Sequence, residues 1–254
     1  MREVSIISKI AKTVKKLIEG GYVIDIPESA EGIDGHIVSY VDKESRLAEQ
    51  YKVLRTDFYF LSPEKPLKTV VITSSQPEEG KTITACNLAV SITLDANKKV
   101  VLIDGDLKRA SVHRIFNIKR KPGFVDLLEG TVDPEYFFKE PVIENLYVIP
   151  AGTLSENPSE KLNTEKIYTV LDKFKKNCDY LIFDSPPVLD ATDASILGTL
   201  CDGVLLVVKA NVTPKKSIKE AMEHLNNAHV KPKGCILTNV KARLAYDYYY
   251  HKEA

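Results

Sequence analysis

Residues 69–90 read TVVITSSQPEEGKTITACNLAV, and the change of pattern inside this stretch decides the fold. TVVITSS is a short, apolar, β-branched run suited to a buried strand. ITACNLAVSITLDA, beginning at Ile83, has the character of a helix. Gly80, Lys81 and Thr82 occupy the turn between them. A glycine there lets the backbone close on phosphate groups, while the N–H groups and the helix start supply positive potential. In such a loop Lys81 would reach the β- and γ-phosphates and Thr82 would ligate Mg²⁺. Pro77, Glu78, Glu79, Gly80, Lys81, Thr82 and Ile83 are therefore the expected ATP-binding stretch. The motif is imperfect, because its usual first glycine falls at Ser75. Glu78 and Glu79 also lie inside the loop, and their carboxylates are expected to point away from phosphate, since like charges repel.

The same alternation continues downstream. KKVVLIDGD, NLYVIPAG, DYLIFDSPP, GVLLVVKA and KGCILTNV read as further strands. SEKLNTEKIYTVLDKFKKN and PKKSIKEAMEHLNNA read as helices between them. Strands apolar on both faces and separated by helices predict an α/β P-loop NTPase fold: a mostly parallel central sheet with helices on both faces. Asp104 and Asp106 stand at the end of one strand and Asp184 at the end of another. Acids at strand tips of an open sheet face the ligand crevice. Oxygen ligands suit Mg²⁺, so Thr82, Asp104 and Asp184 are the candidate metal residues.

Composition narrows the function. Lys+Arg and Asp+Glu are both 35, so the chain carries no net charge to capture nucleic acid broadly. No apolar run reaches the ~18–20 residues of a membrane span. The opening MREVSIISKIAK lacks the apolar core of a signal peptide. Cys86, Cys178, Cys201 and Cys235 are scattered without a CxxC pair, which fits a reducing cytoplasm and excludes a disulfide frame or zinc site.

The order SSQPEEGKTITACNLAV, VVLIDGDLKRASVHRIF, DYLIFDSPPVLDATDA resembles the Walker A, Walker A′ and Walker B motifs of the bacterial tyrosine kinases (BY-kinases), which group by fold with the MinD/ParA ATPases. The resemblance runs from about residue 40 to the C-terminus. It implies transfer of the ATP γ-phosphoryl group to tyrosine, with Lys81, Asp104, Asp106 and Asp184 as the catalytic set. Asp106 would orient the incoming hydroxyl and accept its proton. Asn239 matches the position where relatives contact adenine; read on its own, it is a turn-forming side chain. Within EQYKVLRT, Glu49, Lys52 and Arg55 match a helix motif associated with ring-like self-assembly, with Lys52 in place of an arginine. Lys52 keeps the charge but lacks the bidentate fork. The chain also has Glu78 where members often carry glycine, and Lys108-Arg109-Ala110 in place of an Arg-Arg-Pro-like run.

The competing reading is a MinD/ParA-like positioning ATPase. Its second P-loop lysine would fall at Gln76, which supplies no charge. A nucleotide-binding adaptor without catalysis is the third class. The tail decides for the kinase: Tyr246, Tyr248, Tyr249 and Tyr250 crowd five positions of a chain with 12 tyrosines and no tryptophan. The resemblance makes them phospho-acceptors, labelled in trans within a ring that loosens as phosphate accumulates. It further implies a membrane activator protein of polysaccharide export, other protein tyrosine substrates, a cognate phosphatase, and a cytoplasmic enzyme recruited to the inner face of the membrane. The expected division is an amphipathic helix and linker over 1–40, with the linker at 20–35, a kinase domain over 41–241 opened by a helix from Lys43 to Phe60, and a tail over 242–254. The basic and apolar faces of the first 20 residues suit packing or partner contact more than a lipid surface.

Overall fold

The computed structural model describes residues 29–95, 98–154, 158–162 and 165–240. The N-terminal helix expected over 1–20 and the tyrosine tail lie outside the described residues. Six strands, β1 (Thr69–Ser74), β2 (Val100–Asp104), β3 (Leu146–Ile149), β4 (Tyr180–Asp184), β5 (Gly203–Lys209) and β6 (Pro232–Thr238), form one parallel sheet in the order β3-β2-β4-β1-β5-β6. The expectation of a mostly parallel sheet is borne out.

The two-residue period of the strands explains the layering. Val71, Val101, Ile103, Leu181 and Phe183 face one side. There they meet Phe124 and Leu127 of α5 (Phe124–Glu129), Phe174 of α7 (Lys166–Asn177) and Leu197 of α8 (Asp193–Leu200). Val70, Ile72, Val100, Leu102 and Ile182 face the other side and pack on Leu88, Ala89 and Ile92 of α3 (Lys81–Thr93). Every residue of β1 and β2 is buried, which is why their sequences show no polar alternation.

Two helical expectations are refined. The run 159–177 divides into α6 (Pro158–Lys161) and α7. The helix expected from Lys43 begins later, as α2 (Arg46–Phe60), because Ser45 caps it: its hydroxyl accepts the Ala48 N–H at 3.1 Å. The linker also ends earlier than composition indicates. Ile33 and Ile37 are buried in the core, and α1 (Val38–Val41) is tied to α3, with Asn87 Oδ1 accepting the Ser39 N–H and Asn87 Nδ2 donating to the His36 carbonyl. Residues placed in a linker thus already belong to the folded body. The Gly, Pro and acid content reads as a linker, while the two isoleucines carry the packing.

From β1 the chain moves one way across the sheet to β2 and β3, and later the other way to β5 and β6. The C-terminal tip of β1 is therefore the switch point of the sheet, where open α/β folds bind ligands.

Candidate active site

The loop 75–80 leaves the tip of β1 and enters α3 through Gly80, whose φ of 91° places it in the left-handed region. Glycine is favoured there twice over, because a Cβ at Gly80 would also stand 3.3 Å from the Thr238 methyl. This conformation starts α3 at Lys81 and Thr82, directly beside the tip of β1.

The tips of β2 and β4 are neighbours in register, with Asp104 opposite Asp184. Lys81 reaches across to this pair of strands. Its Nζ lies 3.0 Å from Asp106 Oδ2, 3.6 Å from Asp184 Oδ1 and 3.2 Å from Thr82 Oγ1. Thr82 Oγ1 donates to Asp184 Oδ2 at 2.7 Å. Asp106 Oδ1 accepts the Arg109 N–H at 3.0 Å, and Asp104 Oδ2 accepts the N–H groups of Ser111 and Val112 at the start of α4 (Val112–Ile115). The sequence-predicted residues Lys81, Thr82, Asp104, Asp106 and Asp184 thus share one cleft.

Its electrostatics are those of crowded, dry charge. Burial, then the nearby Asp184, pushes the Asp104 carboxyl up to about 7. Burial likewise raises Asp184, against the opposing pull of Lys81 and the Thr82 hydroxyl. For Lys81 burial works against the charge, but Asp184 and Asp106 outweigh it and hold the ammonium above its usual range. Asp104 Oδ1 and Asp184 Oδ1 are both buried, and neither has a hydrogen-bond partner among the described residues. These two carboxylate oxygens, that of Asp184 also 3.6 Å from Lys81 Nζ, together with the Thr82 hydroxyl match the hard oxygen ligands of a divalent cation. No trio of His, Cys, Asp or Glu among the described residues forms a self-sufficient metal site.

The two loop glutamates differ. Glu78 is exposed at φ 61°. Glu79 is 3% exposed and turned inward: Oε2 accepts the N–H groups of Ser75 at 2.8 Å and Gln76 at 3.2 Å, and Oε1 accepts the Thr213 hydroxyl at 2.5 Å. The Thr238 hydroxyl donates to the Glu79 carbonyl at 2.7 Å. Sequence reading missed this brace; the sequence signal was only an acid at the position before the glycine. Pro77 is exposed on the loop and Ile83 lies in the first turn of α3. Asn239 follows β6 at φ 57° and its Nδ2 donates to the Ala210 carbonyl at 3.1 Å, so its side chain serves the local turn.

The assembly candidates fall on α2. Glu49 is exposed and Lys52 half-buried, and the two are paired with each other at 3.1 Å. Arg55 is turned inward, donating to the Ser91 carbonyl at 2.8 Å and lying 3.6 Å from Asp95. Tyr246, Tyr248, Tyr249 and Tyr250 lie outside the described residues. No described helix is long and apolar enough to cross a membrane.

A family model described as an AAA domain matches residues 67–236. The tyrosine-protein kinase YwqD of Bacillus subtilis (strain 168) is 33% identical over 216 residues, covering 85% of this chain and 91% of that protein. The kinase domain of the Escherichia coli tyrosine kinase ETK superposes with a TM-score of 0.78 at 26% identity, covering 87% of this chain and 86% of that one. A ParA family ATPase from Chlorobium tepidum TLS shares the fold at a TM-score of 0.55 and 15% identity, covering 68% and 74%.

Proposed function

Because the chain belongs to the bacterial tyrosine-protein kinases and is an ATP-using P-loop protein-tyrosine kinase, we propose that it phosphorylates its own C-terminal tyrosines, Tyr246, Tyr248, Tyr249 and Tyr250, from a neighbouring copy. The observation that carries the mechanism is Lys81 Nζ lying within 3.6 Å of both Asp106 and Asp184 in one buried cleft.

With ATP bound, Lys81 exchanges these carboxylates for the β- and γ-phosphates, and the N–H groups at the start of α3 face the same anion. Asp104, Asp184 and Thr82 would hold Mg²⁺, which when bound neutralises charge on the phosphate oxygens. Asp106, released from Lys81, orients the tyrosine hydroxyl. The phenolic oxygen forms the new bond to the γ-phosphorus, the bond to the β-phosphate oxygen breaks, ADP leaves and Asp106 receives the phenolic proton. Tyrosine has a pKa of ~10, so Asp106 is a weak base for it. A loose transition state tolerates this, because placement counts for more than early deprotonation. The buried walls strengthen each of these charge contacts relative to water.

Trans reaction requires copies to meet. Glu49, exposed on α2, and its half-buried partner Lys52 suit a ring contact. Phosphates of about −1.5 to −2 charge each beside Asp247 would repel one another and loosen it. A membrane activator of polysaccharide export, further tyrosine substrates, a cognate phosphatase and a cytoplasmic site of action complete the proposal, all supported by the motif resemblance.

The test is incubation of the full chain with Mg²⁺ and ATP, followed by mass mapping of phosphotyrosine. Label confined to 246–250, and lost when all four tyrosines are changed to phenylalanine with ATP binding intact, is the expected result. Full labelling of the all-phenylalanine chain, or ATP turnover without any phosphotyrosine, overturns the acceptor assignment.

A further inference from the structure

The connection after β2 builds a second charged feature beside the cleft. Lys108, Arg109, Ala110, His113, Arg114 and Arg120 line an open surface depression of about 400 Å³. Four of the six lining residues are permanent or near-permanent cations and none is an acid. Asp190 lies 3.6 Å from Arg109 Nη1, and Asp106 accepts the Arg109 backbone N–H. Arg120 spends Nε on the Gly152 carbonyl, leaving Nη2 buried without a partner; His113 Nδ1 is likewise buried and unpartnered. Arg114 makes one long contact, 3.4 Å to the Ala110 carbonyl. Guanidinium forks with unspent donors are the groups that recognise phosphate, and their planes and an imidazole accept an aromatic ring.

The pocket adjoins the proposed acceptor position. Lys108 is two residues beyond Asp106, and the Arg109 N–H is bonded to the Asp106 carboxylate. Two residues of chain reach at most ~7 Å. The tail spaces its tyrosines by one to four positions, which is ~3–13 Å along an extended strand. These lengths would let a tail with one tyrosine at Asp106 bring another within reach of the pocket.

We propose that this basic pocket binds the phosphate dianion of a phosphotyrosine already made on the tail, so that the first phosphorylation anchors the segment for the next. The inference rests on the tail being the acceptor. It turns a cluster of tyrosines into an ordered substrate: phosphorylation of one residue raises the affinity for its unmodified neighbours, until accumulated charge drives the copies apart.

Synthetic peptides of residues 243–254, unmodified or phosphorylated at Tyr248, test this by fluorescence anisotropy against the full chain at fixed ionic strength, with inorganic phosphate as competitor. The phosphopeptide is expected to bind at least about tenfold tighter than the unmodified one, as one or two added charge-assisted contacts allow. The exposed pair Lys108→Gln/Arg114→Gln, which leaves the core untouched, should reduce that preference to within about twofold. Equal affinities for the two peptides, or a preference retained in the double variant, would overturn the proposal. So would inorganic phosphate binding as tightly as the phosphopeptide, since the pocket would then be a site for a free anion. Binding of a synthetic peptide does not depend on self-labelling, so the docking and the acceptor assignment fail separately.

Discussion

Replacing Lys81 with methionine should damage more than catalysis. The Lys81 side chain is 12% exposed, and its two carboxylate partners are 3% and 0% exposed. At an effective dielectric of about 20, contacts of 3.0 and 3.6 Å are each worth roughly 5 kcal/mol of attraction, largely offset by the cost of burying the charges. Removing one partner leaves the others uncompensated, for which about 3–5 kcal/mol is typical. The nucleotide-free Lys81→Met chain is therefore expected to be about 3 kcal/mol less stable at pH 8. Without the ammonium the Asp104 and Asp184 carboxyls, already raised by burial, hold protons more tightly in the folded state than in the unfolded one. A folded state that binds the extra proton loses stability as pH rises, so the deficit should widen from pH 6 to pH 8. Guanidinium unfolding of wild type and variant at both pH values, with unchanged slope, measures it. Tyrosine labelling should vanish at either pH. A variant as stable as wild type at pH 8 would mean that the acids are hydrated rather than neutralised by Lys81, and the account of the cleft would fail.

Two further outcomes follow from the same geometry. The Asp104 carboxyl, pushed up to about 7 by burial and by Asp184, is protonated in the folded chain over a range where the unfolded chain has lost the proton. Its contribution therefore favours folding at low pH and is lost as pH rises from about 4 through about 7. Nucleotide-free wild type should lose on the order of 3 kcal/mol more than Asp104→Asn between pH 5 and pH 8; parallel stability–pH curves for the two would contradict the assigned burial. Glu79→Ala strands the N–H groups of Ser75 and Gln76 and the Thr213 hydroxyl, and should cost about 2 kcal/mol or more in thermal unfolding and weaken ATP binding. Wild-type stability of that variant would show that the brace is dispensable.

The fold was legible because its strands are nearly all apolar and its helices begin at recognisable residues. Val70, Val71 and Ile72 cannot form half a surface strand, and a parallel buried sheet is the structure that uses both their faces. Less legible was the stretch between β2 and β3. There α4, α5 and the 3₁₀ turn Pro134–Phe138 are four to six residues long. Such elements are too short to repeat a helical period, so no pattern marks them. The basic pocket is built from this stretch, and its cations look like an ordinary charged run until the chain folds them around one space. Arg55 shows the opposite difficulty. Its motif spacing points outward to a neighbouring copy, yet the side chain bonds the Ser91 carbonyl, because the C-terminal end of α3 offers an unpaired acceptor beside it. If a ring forms through α2, Glu49 and Lys52 are the groups free to turn outward first.

Ser75 and Glu79 looked like two separate faults in the phosphate loop, a missing glycine and an unwelcome charge. The geometry makes them one arrangement. The Ser75 and Gln76 amides point at the Glu79 carboxylate, which holds the loop closed from within and at the same time reaches Thr213 beyond β5. Thr238 at the end of β6 grips the Glu79 carbonyl and lies against Gly80. The loop is thus fastened to the last two strands of the sheet, and Asn239 is the very next residue of the chain. A base held near Asn239 and phosphates held by Lys81 would then share one frame, with no hinge between them. Rigidity of this kind is what positional catalysis requires, since phosphoryl transfer gains most from groups that need not move when the charge shifts. On the proposed reading the inward glutamate would serve the chemistry without touching it, keeping its negative charge off the phosphates by spending it on the loop's own amides.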